Sequence, residues 1–468
     1  MKKSIAMLAL ALLAGAVSLG AAEPYRYPVP ERKPGQKSMI GFRVAPIKNV
    51  RIAIIGVGAR GSAALKRFAN YPDRATVKVA CDLWPEKLEK IEKHLRKINY
   101  PYKVDYYTGA DDWKKICERD DIDLVYVATP VPLHVPIAVH AMKNGKHVAF
   151  EVTVNHSLDK CWELVDAAET YQRHCMMLEN CVYSDYAMAI TNMVRNGKLG
   201  EPIHCEAGYI HNMESYRFRE AKDNWRKLKK PSPTPIPGGN TYPTHGIGPV
   251  AHWMGLNRGD RMVTINSIST RDFTLKIAAK EHFGEDTDFA KGYYGPDMNL
   301  SMIKTANGKT IMLYYATALR RPYSRAYEIN ATKGYSRFTE NLKQEKPVFA
   351  FSPNYHSYLT PNRVKALMGK QRHPIYRYFE AEAKKFGGHG GMDTVMDMRL
   401  LYCLNNGLPL DMDVYDGVTW SSIIETSKKS VELGGAPVEL PDFTRGDWNK
   451  RNGVEYYYID KDGQEKIY

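Results

Sequence analysis

R-I-A-I-I-G-V-G-A-R-G, residues 51–61, runs from a short apolar β-type stretch into G-x-G-x-x-G at Gly56, Gly58 and Gly61. The order is strand, tight turn, helix start. Gly56 permits the turn, Gly58 lets the backbone approach a pyrophosphate, and Gly61 allows close helix–strand packing. The helix N-terminus beyond it offers unpaired N–H groups and a positive dipole end to phosphates. Ala59 and Arg60 complete the expected phosphate-contacting turn. A second apolar run, V-K-V-A-C-D over 77–82, ends in Asp82, at the distance where an acid binds a ribose 2′-hydroxyl. This favours NAD; Arg60 beside the turn leaves NADP as the alternative.

Working outward, residues 50–152 alternate strand and helix: strands at 51–55, 77–81, 123–128 and 146–151, with helices at 60–70, 85–97, 111–118 and 134–144. Helix 157–173 and strand 174–179 add one more unit. Nearly continuous apolar strands joined by helices predict a doubly wound parallel sheet. Beyond about 185 the texture changes. Helix 186–196 precedes longer strand-like runs at 202–211, 262–271, 298–305, 310–317 and 326–332, which predict an open, mainly antiparallel sheet. Segment 229–246 holds too much Pro and Gly for regular structure, and ordered loops of that length are often functional. Stretches 393–406 and 416–433 read as helices that return to the first domain.

The fold class is thus α/β: an N-terminal Rossmann sheet followed by an α+β domain. The expected divisions are a signal peptide at 1–22, an irregular arm at 23–49, an NAD-binding domain at 50–180, a substrate domain at 181–445 and a tail at 446–468. The leader reading rests on Lys2-Lys3, the apolar stretch from Ile5 to Leu19, and the small residues Gly20-Ala21-Ala22. Export to a bacterial periplasm follows. An uncleaved anchor is the competing reading, for which the run is short.

Composition narrows the class further. The 468 residues are 44% hydrophobic and 25% charged, as in an ordinary soluble globular protein. The net charge of +14 is dispersed among acids, with one dense basic cluster at Arg226-Lys227-Lys229-Lys230, so it reads as solvated surface and not as a nucleic-acid footprint. The cysteines at 81, 117, 161, 175, 181, 205 and 403 show no C-x-x-C spacing, and several sit in apolar runs as buried thiols. No metal site is expected from them.

The strand ends after 128 and 150 carry Thr129-Pro130, His134 and Glu151, and open into the crevice where a nicotinamide would lie. With N-G-K-H-V at 144–148, this arrangement resembles the Gfo/Idh/MocA oxidoreductases. Those proteins follow the fifth strand with Glu-Lys-Pro, whose lysine exchanges the proton of the substrate hydroxyl. Here the sequence is Glu151-Val152-Thr153. The lysine is missing. Tyr242-Pro243-Thr244-His245-Gly246 offers replacements, since a histidine titrates near working pH and a tyrosine can donate.

The stretch G-G-N-T-Y-P-T-H-G-I-G-P-V-A-H-W-M-G-L-N-R-G-D-R, residues 238–261, is similar to glycoside hydrolase family 109, a branch of those oxidoreductases. So are Glu179-Asn180, G-Y-I-H at 208–211, R-P-Y-S at 321–324 and G-H-G-G-M-D at 388–393. Asn212-Met213 replaces the usual Asp-Leu-Arg, and P-S-P-T-P-I at 231–236 is an insertion; both bear on sugar specificity.

The resemblance implies a retaining α-N-acetylgalactosaminidase with tightly bound, recycled NAD. Oxidation at C3 acidifies C2–H, elimination expels the C1 group, water adds, and the hydride returns. It further implies Tyr242 and His245 as the proton-transfer residues, Asn180 near the cofactor, and Glu179, Tyr209, Arg226, Tyr242, Tyr323 and His389 against the sugar. The expected partner is a glycan ending in N-acetylgalactosamine, with no nucleic acid and no membrane span after leader removal; association with further copies stays open. The alternatives are an NAD-dependent sugar dehydrogenase or epimerase, and a non-catalytic glycan-binding protein with structural NAD.

Overall fold

The computed structural model describes residues 23–224, 226–338, 347–353 and 355–468, so the leader reading at 1–22 lies outside the described residues. Strands β1 (Val50–Ile55), β2 (Ala75–Cys81), β3 (Asp105–Tyr107), β4 (Leu124–Val127), β5 (His147–Phe150) and β6 (Cys175–Met177) form one sheet in the order 3-2-1-4-5-6. All its pairings are parallel. β1, β4 and β5 are buried along almost their whole length, which is why their sequences read as unbroken apolar runs. Helices α1 (Ala59–Ala69), α2 (Pro85–Lys97), α3 (Asp112–Cys117), α4 (His134–Lys143) and α5 (Leu158–Tyr171) make the crossovers. The strand order reverses between β1 and β4, and this switch point opens the ligand crevice.

After helix α6 (Asp185–Arg195) comes the second sheet: β7 (Pro202–Ile210), β8 (Met262–Ser269), β9 (Asn299–Thr305), β10 (Thr310–Ala316), β11 (Tyr327–Ala331), β12 (Gly334–Phe338), β13 (Val348–Phe351) and β14 (Val438–Glu439). Its order is 13-12-11-7-10-9-8-14; β7 and β10 pair in parallel and the remaining pairs are antiparallel. β12 and β13 extend it beyond the runs legible in the sequence. Helices α7 (Thr244–Met254), α8 (Thr274–Phe283), α9 (Pro361–Gln371), α10 (Met392–Asn406) and α11 (Val414–Glu432) complete the framework.

One hydrophobic core runs continuously from the first sheet to the second. α10 packs on α1 and β1, as a helix returning to the first domain should. α11 returns to the first domain as well, but also reaches the second. It lies between the sheets, against α5 and β6 on one side and β8 and α7 on the other. Asp413 and Asp416 close a capping box at its start, and Arg258 binds the buried Asp416 carboxylate at 2.6 and 2.7 Å. Residues 23–49 are irregular, apart from a bridge between Tyr25 and Val438. The chain ends in a hairpin, β15 (Tyr457–Ile459) with β16 (Glu465–Ile467), preceded by the fully buried Tyr456. No helix among the described residues is long and apolar enough to cross a membrane.

Candidate active site

The nucleotide wall is made by backbone. Gly56 has φ +90°, and a Cβ there would lie 2.6 Å from the Ala128 carbonyl oxygen. A Cβ on Gly61 would come within 1.9 Å of the Gly56 oxygen. Both positions therefore exclude every other residue. A Cβ on Gly58 meets nothing within 4 Å, so the turn presents bare backbone to the crevice at the start of α1, which Ala59 opens. The Asp82 carboxylate accepts from Val57 N–H at 2.9 Å and Trp84 N–H at 3.0 Å, tying β2 to the turn. A carboxylate offers about four lone-pair sites, so room remains for ribose hydroxyls. At the end of β4, Thr129 Oγ1 is buried with no protein partner. Pro130 begins a short turn over Val131–Leu133. These features fit a dinucleotide: a phosphate cradle that a Cβ would fill, an acid at the ribose position, and an unpaired hydroxyl beyond.

Other residues expected at the cofactor have partners within the protein. His134 is 1% exposed, with Nδ1 2.7 Å from the Thr153 carbonyl and Nε2 2.8 Å from the Thr129 carbonyl, and as a neutral ring it donates to one of the two. Burial holds it below the usual histidine range. Arg60 points across the crevice to Glu151 at 2.9 Å and Asp393 at 2.6 Å. It is thus committed away from Asp82, which removes the sequence argument for NADP. Asn180 Nδ2 donates to Asp393 at 2.6 Å. His389 lies against the same carboxylate at 2.9 Å and beside Arg60 at 3.2 Å, with its side chain 59% exposed.

The opposite wall is made by side chains. Pro243 caps α7, whose first turn carries His245. A Cβ on Gly248, one turn further on, would meet Glu179 Cγ at 2.8 Å; glycine lets the helix settle onto that side chain. Glu179 is fully buried, and its carboxylate lies 2.7 and 2.9 Å from His245 Nδ1. Burial pushes its pKa up, but the His245 ring and the Cys181 N–H, donating at 3.0 Å, outweigh that and hold the carboxyl below its ordinary value. An ionised carboxylate can only accept, so Nδ1 carries a proton toward it. The Tyr242 ring stands 5.0 Å from His245 and 4.6 Å from Tyr209; Tyr323 is 5.9 Å from Tyr209. Burial, then the neighbouring Tyr209 and the charges of Glu179 and Glu151, push the Tyr242 phenol well above its ordinary pKa. It is a donor and not a resting phenolate. Arg226 acts in the opposite sense on Tyr209 and Tyr242, so its charge reaches both rings. Tyr209, Tyr242, His245, Glu179, Tyr323 and Arg226 thus converge, whereas His389 belongs to the Arg60 network.

Comparison with known proteins agrees with this geometry. Residues 50–179 match the oxidoreductase family, NAD-binding Rossmann fold, and residues 183–450 match the C-terminal domain of glycosyl hydrolase 109. A glycosyl hydrolase family 109 protein from Bacteroides fragilis is 40% identical over 464 residues, covering 97% of this chain and 98% of its own. The chain belongs to glycosyl hydrolase family 109. An α-N-acetylgalactosaminidase of Bacteroides fragilis is 41% identical, covering 90% of this chain and 97% of its own. Levoglucosan dehydrogenase in complex with NADH superposes with TM-score 0.61 at 17% identity, over 84% of this chain and 100% of that one, and shows the shared fold. This family 109 protein is therefore a glycosidase built on an NAD-binding oxidoreductase framework.

Sequence reasoning missed three neighbours of the site. His211 Nδ1 lies 2.8 Å from Tyr209 Oη. Cys181, Glu179 and His245 bring ligand-type atoms within 4.8 Å of one another, a cysteine–histidine grouping invisible along the chain. Arg325, 6% exposed, donates to Cys181 Sγ at 2.8 Å and is the cation placed beside this cluster. The R-P-Y-S motif stops one residue short of Arg325; a charged residue adjoining an apolar strand was the available signal.

Proposed function

We propose that this family 109 glycosidase releases terminal α-linked N-acetylgalactosamine from glycans by oxidation, elimination, water addition and reduction. Bound NAD would supply reversible hydride transfer at C3, and because the electrons return to the sugar in each cycle, no external pool is needed. The Gly56–Gly61 turn and Asp82 would hold the nucleotide, and Thr129 would reach its nicotinamide half.

The observation that carries this reading is the His245–Glu179 pair. The carboxylate fixes the proton on Nδ1, which leaves Nε2 as a base facing the ring cluster, in a fold whose usual lysine is absent. With C3 at the ketone level, C2–H is acidic enough for such a base. Tyr242, kept protonated by burial, lies on the side that feels Glu151 and serves O3 as hydrogen-bond donor and proton partner. Ordinary glycosidases place two carboxylates about the bond. Glu179 is instead sequestered behind His245. Export to the periplasm is part of the proposal, supported by the residue pattern at 2–22.

Hydrolysis of aryl α-N-acetylgalactosaminide in D₂O, with no NAD added, tests the reading. Deuterium at C2 of the released sugar over many turnovers is expected. Protium retained at C2 would exclude elimination. Stoichiometric accumulation of NADH would make the protein a dehydrogenase.

A further inference from the structure

Three atoms of the substrate exchange protons in the proposed cycle: O3, C2 and the leaving oxygen. Tyr242 and His245 account for two. A third group stands in the same cluster. Tyr209 and His211 lie two residues apart where β7 leaves the sheet, so both side chains project to one face. Tyr209 Oη is 2.8 Å from His211 Nδ1, and the rings meet edge-on at 5.5 Å. Tyr323 closes over both, at 5.9 and 5.1 Å. The His211 backbone N–H donates to the Ala316 carbonyl at 2.8 Å, which fixes the residue's position.

Position separates the two phenols. Tyr242 lies just before α7, its ring 5.0 Å from His245, whereas Tyr209 lies on β7 with its hydroxyl 2.8 Å from His211. With Tyr242 at O3 and His245 at C2, C1 and its leaving oxygen fall to Tyr209, whose ring adjoins both, at 4.6 and 5.5 Å. Burial, then Arg226 and His245, hold His211 below the usual histidine range, so the ring is neutral and bears one proton.

On the functional reading above, we propose that Tyr209 is the acid that protonates the leaving oxygen and that His211 is its positioning residue. His211 Nδ1–H donates to Tyr209 Oη and directs the phenol proton at the substrate. During elimination His245 takes the C2 proton, and the C2 electron pair forms the C1=C2 π bond. The C1–O bond breaks, and the phenol proton passes to the departing oxygen. His211 N–H then stabilises the phenolate. In the return half, water oxygen bonds to C1, the phenolate takes the water proton, and His245, its N–H exchanged with solvent, protonates C2. One group serves departure and arrival, so both occur on one face and the anomeric configuration is retained.

Two measurements on the full-length, NAD-loaded protein test this. Long-range ¹H–¹⁵N NMR of histidine-labelled protein, with His211→Ala for assignment, is expected to show a protonated Nδ1 at His211; a bare Nδ1 with the proton on Nε2 would overturn the proposal. Tyr209→Phe and His211→Ala are expected to lower kcat/KM on methyl α-N-acetylgalactosaminide by about 10²–10⁴. On the 4-nitrophenyl glycoside, whose phenolate departs with less help, the loss should be at least about thirtyfold smaller. Equal losses on both substrates would mean a merely structural role and would overturn it too. A wild-type protein that left both glycosides intact would instead defeat the hydrolase reading, while the tautomer would still judge the pair.

Discussion

The two walls of the crevice are built by opposite means. On the nucleotide side the determinants are consecutive, and they act through backbone: Gly56, Gly58 and Gly61 shape one turn, and Asp82 braces it. On the sugar side Glu179, Tyr209, the Tyr242–His245 pair and Tyr323 come from separate segments and meet through side-chain atoms. A backbone site tolerates change everywhere except at the residues that forbid a Cβ. A side-chain site fails wherever a partner is removed, because each group's protonation state is set by its neighbour. The absent lysine shows the consequence: the nucleotide wall is kept, while on the proposed reading the proton chemistry across from it falls to His245 and two phenols.

The largest effect that would test this contrast is at His245. His245→Ala should lower turnover by about 10³–10⁴, within the span of general acid–base catalysis, with NAD still bound. Loss of NAD on that change, seen by absorbance of the purified protein, would join the two walls and break the contrast. Glu179→Gln should cost about 10²–10³, because an amide does not dictate the His245 tautomer as a carboxylate does; turnover within about threefold of wild type would remove Glu179 from the mechanism. Gly61→Ala should act in the converse sense. Its Cβ cannot coexist with the Gly56 carbonyl 1.9 Å away, so purified protein should retain about tenfold less NAD while the Tyr209–Tyr242–His245 cluster stays intact. Undiminished NAD content would contradict the turn geometry.

A smaller, pH-dependent effect separates working histidines from structural ones. Burial lowers His252 and His373 to about 3 and His147 to about 4. Below the ordinary value of 6.5 the unfolded chain binds protons that these folded sites refuse, so stability is full above pH 6.5 and declines as pH falls toward 3–4. Each site contributes at most about 1.4 kcal/mol per pH unit. Urea midpoints at pH 7 and pH 5 should show the decline, and His252→Gln should flatten it. A midpoint independent of pH would count against buried neutral rings.

Legibility followed the same division. The Rossmann strands and turn could be read because buried parallel strands are apolar throughout and the glycines are forced by local geometry. Tyr242, His245 and Glu179 were legible as motif residues, but the pairing of Glu179 with His245 was not, because Gly248 and Glu179 meet only when α7 packs down. The partners of Arg60 and His134, both expected at the cofactor, were not legible; a side chain's direction is set by counter-charges such as Asp393 on α10 or by carbonyls such as that of Thr153 beyond β5, which spacing does not encode. β12 and β13 escaped notice because G-Y-S-R-F mixes exposed and buried positions in a short strand. α11 was read as a returning helix, yet it is buried on nearly every side because both sheets press on it.

The Arg60 guanidinium has a temporal implication. One of its two carboxylates, Asp393, lies near the far end of the polypeptide, just after the glycine-rich G-G-H-G-G segment at 387–391. A nascent chain that has finished its nucleotide turn still lacks that acid. The Arg60–Asp393 contact spans 333 residues of sequence, so the two edges it joins are tied together only in a polypeptide synthesised through α10.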